Sequence, residues 1–91
     1  MWRIATGCQL LWRRWGEEYI VYNSGSGNTH LLDDIGGGVL RYLEECPADA
    51  QELAIELVGE RALSENPGIR TRIEELLTQF QDLDLVEFIK R

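Results

Sequence analysis

The run Asn23-Ser24-Gly25-Ser26-Gly27-Asn28-Thr29-His30 brings hydroxyls, amides, two glycines and the chain's single histidine together, with Asp33 and Asp34 just beyond. Such side chains are the material of phosphate binding, acid–base catalysis or metal ligation. A phosphate loop needs the GxxxxGK[ST] spacing, a lysine, and a helix whose first amides face the anion. This run has no lysine near it and does not lead directly into a helix. A catalytic histidine needs a nucleophile and an orienting carboxylate within reach, and a metal needs a second ligand at helical or turn spacing. Ser24, Ser26, Asp33 and Asp34 stand in no such spacing to His30. The segment therefore reads as a hairpin turn, with Gly25 and Gly27 at positive φ and Asn and Ser side chains closing the bend. His30 reads as a structural or contact residue on the strand that follows. No catalytic residue, metal ligand or cofactor is expected.

The remaining polar candidates are arginines. Arg70 and Arg72 flank an apolar stripe in the C-terminal part. They read as solvated side chains with packed stems, or as groups that reach a carboxylate on a bound partner. Arg13 and Arg14, next to Trp12 and Trp15, invite a stacking contact with nucleic acid. The overall charge opposes that reading: 16 acidic against 9 basic residues leave −7, whereas a nucleic-acid binder needs a basic surface to neutralise phosphates. Cys8 and Cys46 lie in neither a CxxC nor a CxxH pattern and read as reduced thiols, with one disulfide as the alternative. The N-terminal segment has no long apolar stretch, so neither a signal peptide nor a membrane span is expected, and the chain reads as cytoplasmic.

The elements that must carry these groups fall into two halves. With 91 residues and 44% apolar content, one domain spanning 1–91 with a single core is expected. Gln9–Trp15, Tyr19–Tyr22 and Thr29–Leu32 read as three strands of a meander, rich in Trp, Tyr, Ile, Val and Thr. Tyr19-Ile20-Val21-Tyr22 is apolar on both faces, so the central strand should be covered on both sides. Met1–Ile4 adds a short extended piece. From Ile35 to Glu45 the pattern turns helical, with Asp34 as the expected cap and Ile35, Val39, Tyr42 and Leu43 on one face. Gly36, Gly37 and Gly38 each cost a helix about 0.8–1 kcal/mol relative to alanine, which implies fraying or a close approach by another segment. Asp49 and Glu52 form a capping box for a second helix carrying Leu53, Ala54, Leu57 and Val58 and closing at Gly59. Asn66-Pro67 opens a third, with Ile69, Ile73, Leu76, Leu77, Phe80 and Leu83 on one stripe at about 100° per residue. Leu85–Ile89 reads as either a strand or a helix end.

Taken in order, LLWRRWGEEYIVYNSGSGNTHLL, VLRYL, QELAIEL and IEELLTQFQDLDLV resemble the PqqD family of peptide chaperones over nearly the whole chain. The branch associated with HPr-kinase-related peptide-modification systems is the most similar, through Ser26-Gly27-Asn28-Thr29-His30-Leu31-Leu32. Two departures from the family pattern are Gly36-Gly37-Gly38, where better helix formers are usual, and Asp84, where a glycine is common. The resemblance implies an α+β winged helix-turn-helix, a three-stranded antiparallel sheet followed by three helices. It also implies a non-enzymatic module that binds the leader of a ribosomally made precursor peptide and presents it to a separate modifying enzyme. The implied site is an added strand on Asn28, Thr29, His30, Leu31 and Leu32, with Ile69, Arg72, Ile73 and Leu76 as the opposite wall. Strand addition suits an exposed sheet edge, because main-chain bonds give affinity and alternate side-chain pockets give specificity. Competing readings are a winged-helix transcription regulator and a regulatory subunit of a kinase-like partner with His30 in phosphotransfer. The first needs a basic recognition helix, and the third helix carries Glu74 and Glu75 beside its arginines. An open edge also permits a homodimer as well as a monomer.

Overall fold

A computed structural model describes residues 1–90. The chain runs β1 (Trp2–Ile4), β2 (Leu10–Trp15), β3 (Glu18–Asn23), β4 (Asn28–Leu32), α1 (Asp34–Glu45), α2 (Ala50–Val58), α3 (Glu60–Glu65), α4 (Gly68–Asp82) and β5 (Val86–Phe88). Strands β2, β3 and β4 form an antiparallel meander with β3 in the centre. Between β3 and β4 the bend is set by Asn23, whose side chain accepts from the Gly25 amide and whose carbonyl accepts from Gly27. Only Gly27 of the two expected glycines takes positive φ, at 80°. Gly25 is required for another reason: a Cβ there would collide with the Gly7 carbonyl.

The core lies between the inner face of this sheet and the helices. Val21 and Leu32 meet Val39, Leu40 and Leu43 of α1, Leu53 and Ala54 of α2, and Ile73, Leu77 and Phe80 of α4, all buried. Helices α1, α2 and α4 each contribute one apolar stripe, which is what the 3.6-residue repeat dictates. The glycines of α1 permit close approach: a Cβ on Gly37 would enter the Tyr19 ring, and one on Gly38 would come within 2.8 Å of Leu57. The cap of α1 is Asp33 rather than Asp34, its carboxylate accepting from the Gly36 amide at 2.7 Å.

The central strand is not covered on both sides. Tyr19, Val21 and Asn23 face the helices, whereas Ile20 and Tyr22 share an open outer face with Leu11 and Leu31, which are 61% and 64% exposed. Four helices occur instead of three. The extra one, α3, buries no residue, so it carried no hydrophobic repeat to be read. Leu85–Ile89 resolves as strand: β5 pairs with β1 across the whole length of the chain, with Trp2 against Phe88 at 5.1 Å and Arg3 bonded to Glu87 at 2.5 Å.

Asp84, between α4 and β5, is the one non-glycine residue among those described with positive φ, at 60°. An L-residue in this left-handed region costs roughly 1–2 kcal/mol, less for aspartate than for most. Asp84→Gly removes that cost but frees the unfolded chain by about 0.4–1 kcal/mol. We expect a net gain of up to about 1 kcal/mol, read as a higher urea midpoint at unchanged slope.

Candidate functional site

The backbone of the meander determines which amides are free. In an antiparallel ladder, opposed residues alternate between pairs that exchange hydrogen bonds and pairs that do not. Counted from the two-residue turn Gly16-Glu17, Trp15 and Glu18 are a bonded pair, so Glu18, Ile20 and Tyr22 address β2. Tyr19, Val21 and Asn23 then address β4, where their register partners are Leu32, His30 and Asn28. The N–H and C=O groups of Thr29 and Leu31 are therefore turned outward, to an edge on which no strand lies.

Beside this edge is a cleft of about 410 Å³ between β4 and the C-terminal half of α4. Its apolar walls are Leu31, Leu32, Leu76, Phe80 and Leu83, and its polar rim includes Glu18, His30 and Gln79. Gly36 lies on the floor, next to the Phe80 ring. Nε2 of His30 is buried and has no hydrogen-bond partner among the described residues.

The residues expected at the site separate into two sets. His30, Leu31, Leu32 and Leu76 line the cleft together. Asn28 and Thr29 lie on the same strand near the turn, with the Asn28 amide donating to the Ser26 hydroxyl. Ile73 is fully buried and belongs to the core, and Ile69 lies half-buried about two turns before the cleft. The wall from α4 is thus built one to two turns further along the helix than expected. Glu18, Gln79, Phe80 and Leu83 line the cleft as well, outside the set expected from the sequence. Phe80 and Leu83 read as plain core positions from the stripe, and Leu83 stays partly exposed because the helix ends there.

Arg72 does not stand free at the rim. Its Nη2 donates to Oδ2 of Asp33, tying α4 to the start of α1 at the end of β4. Asp33 thus serves two partners. The Gly36 amide chiefly, and Arg72 after it, hold its carboxyl below the usual value of 3.8, against partial desolvation. Arg70 donates to Glu74 and Gln51 instead.

Because the folded carboxyl has the lower pKa, its contribution to stability is full above the unfolded value and is lost as pH falls through the folded one. Asp33→Ala should cost about 0.5–2 kcal/mol near neutrality, the usual worth of an N-cap. Its difference from the unsubstituted protein should shrink as the pH drops below about 4. Urea unfolding at several pH values measures this, and a penalty that grows in acid contradicts the assignment.

Among the described residues, no three His, Cys, Asp or Glu side chains gather as a metal site, and no helix is long and apolar enough to cross a membrane. What the arrangement offers is an unpaired strand edge next to an apolar slot, which is binding geometry.

No protein-family model matches the chain, and no curated protein matches it by sequence. Among solved structures it is similar to TbiB1 in complex with the TbiA(beta) leader peptide, with a TM-score of 0.67 and 16% identity. The alignment covers 98% of this chain and 99% of that one, so the two share one α+β fold from end to end, a winged helix.

Proposed function

We propose that this chain is a PqqD-like peptide chaperone, which binds the leader of a ribosomally made precursor peptide as a fourth strand on β4. The observation that carries this reading is the outward-facing amides of Thr29 and Leu31 beside the apolar cleft of Leu76, Phe80 and Leu83. The shared fold with a protein solved holding a leader peptide supports it. In this arrangement the peptide backbone continues the ladder, and every second side chain points toward α4. One or two apolar side chains fill the cleft, while Glu18 and His30 meet polar groups at its rim. The module does no chemistry itself. It holds the leader extended so that a separate enzyme of the same system reaches the remainder of the precursor.

The test uses the leader half of a precursor-like peptide encoded beside this chain, titrated into isotope-labelled protein while backbone amides are observed. Shifts should concentrate on residues 28–32 and 76–83. Shifts confined to α2, or to none of these segments at saturating peptide, would sink the reading.

A further inference from the structure

The opposite edge of the sheet carries a different chemistry. Arg3, Arg61, Arg70 and Arg72 each hold a carboxylate of this chain, whereas Arg13, Arg14 and Arg41 hold none among the described residues. These three lie together. The Arg14 guanidinium sits 5.3 Å from the Tyr19 ring centre, and that of Arg41 sits 5.0 Å from Trp12 and 5.7 Å from Tyr19. Arg13 joins them in lining a depression of about 180 Å³. On a chain of net charge −7, this is a local reversal of sign.

The backbone beneath the cluster is also open. The alternation that turns Thr29 and Leu31 outward on β4 turns Trp12 and Arg14 outward on β2, which has no strand on its far side. Successive residues of a strand point to opposite faces. Arg13 therefore stands on the outer face of the sheet, and Arg14 stands on the helix side with Arg41. Leu11 and Trp15, the latter 75% exposed, flank Arg13 on the outer face.

We propose that β2 is a second docking edge, which takes an extended acidic segment of another protein. Two adjacent carboxylates on an added strand fall on opposite faces, one meeting Arg13 and the other meeting Arg14 and Arg41. An apolar residue two positions away covers Leu11 or Trp15. Opposite charges paired across neighbouring strands favour such a register. A peptide suits this patch better than a nucleic acid. Glu17 and Glu18 at the hairpin end and Glu44, bonded to the Trp12 indole, border the cluster and repel a polyanion that runs past it. A segment with two carboxylates ends before it reaches them. The two edges are about 10 Å apart across the sheet, so a partner on β2 leaves β4 open. The proposal does not depend on what β4 binds.

The probe is a synthetic nine-residue peptide with a central Glu-Glu pair between valine, threonine and tryptophan, and its Lys-Lys counterpart is the control. At low salt the Glu-Glu peptide should shift the amides of residues 11–15 and the Trp12 indole N–H, with residues 28–32 unmoved. Its Kd should rise roughly tenfold or more between low and moderate salt, because the pairs are exposed to screening. The Arg13→Glu, Arg14→Glu double variant should lose binding altogether. Arg41→Ala, on a helix surface, should weaken it several-fold and guards against a folding defect in the double variant. Equal binding of the Lys-Lys peptide, shifts at β4 instead, or no shift at about 2 mM peptide would each overturn the proposal. So would tighter binding of oligothymidylate with the same arginine dependence, in favour of a nucleic-acid surface.

Discussion

Replacing Leu31 with proline is expected to leave the protein folded and to lower leader affinity tenfold or more. The Leu31 amide faces the open side of β4, so proline removes no bond of the existing ladder, and edge positions are where sheets tolerate it. On binding, however, the peptide carbonyl that meets this amide loses its donor. A net hydrogen bond is worth about 0.5–1.5 kcal/mol, and an acceptor left shielded and unpaired costs about 1–3 kcal/mol. Since 1.4 kcal/mol is tenfold in Kd, the combined loss is of that order or larger. Leu31→Ala keeps the amide and trims a side chain that is mostly exposed, so its affinity should change far less. Fluorescence anisotropy of a labelled leader peptide measures both. Equal affinities for the proline and alanine variants would mean that β4 does not carry the peptide backbone. His30→Pro is the contrasting case: that amide faces β3, and the substitution should unfold the hairpin.

The largest loss of stability is expected from Leu77→Ala. Leu77 is fully buried on α4, within the cluster that joins the helices to Val21 and Leu32. Leucine-to-alanine changes in such cores cost about 2–5 kcal/mol, the transfer term plus the residual cavity. A chain of this size has roughly 5–14 kcal/mol of total stability, so one methyl-rich side chain carries a large share. For a domain of this length each kcal/mol lowers Tm by about 4–8 °C, which puts the expected drop near 10 °C or beyond. Leu83→Ala, on the same helix but partly exposed, should change stability much less. Calorimetry of the two variants separates them. A Leu77→Ala protein with an unshifted Tm would mean that α4 is not seated as described.

The parts of this fold that were legible in the sequence are those with a strong local signal. The stripe of Ile73, Leu77 and Phe80 announced α4, and the Asp49–Glu52 box announced α2, whose cap bond is 2.8 Å. The hairpin of β3 and β4 followed from Asn23 to Asn28, a turn whose glycines and amides have few other uses. What escaped notice depended on distant partners. Helix α3 has no fully buried residue, only a half-buried Leu63 against the core, and β5 becomes a strand only because β1 lies alongside it. The site was half legible for the same reason. The edge strand came from local pattern, but which turn of α4 faces it depends on the crossing of helix and sheet. Close packing of the helices on the sheet is part of that crossing, as at Gly37, whose missing side chain lets the Tyr19 ring approach α1. The sequence showed that something could come close there, not what.

The pairing of β1 with β5 has a mechanical consequence. Trp2 opposes Phe88 and Ile4 opposes Val86, and the Met1 carbonyl accepts from the Ile89 amide at 2.7 Å. Both ends of the described chain therefore leave this ribbon at the same side. A pull on the two ends loads its hydrogen bonds one after another, as in opening a zip, rather than all together in shear. The first yield should come at low force and release the ribbon while the meander and α1 remain assembled. An unfoldase that draws the chain in from either end would meet its small obstacle first, and its larger one only when traction reaches the core around Leu40 and Leu77.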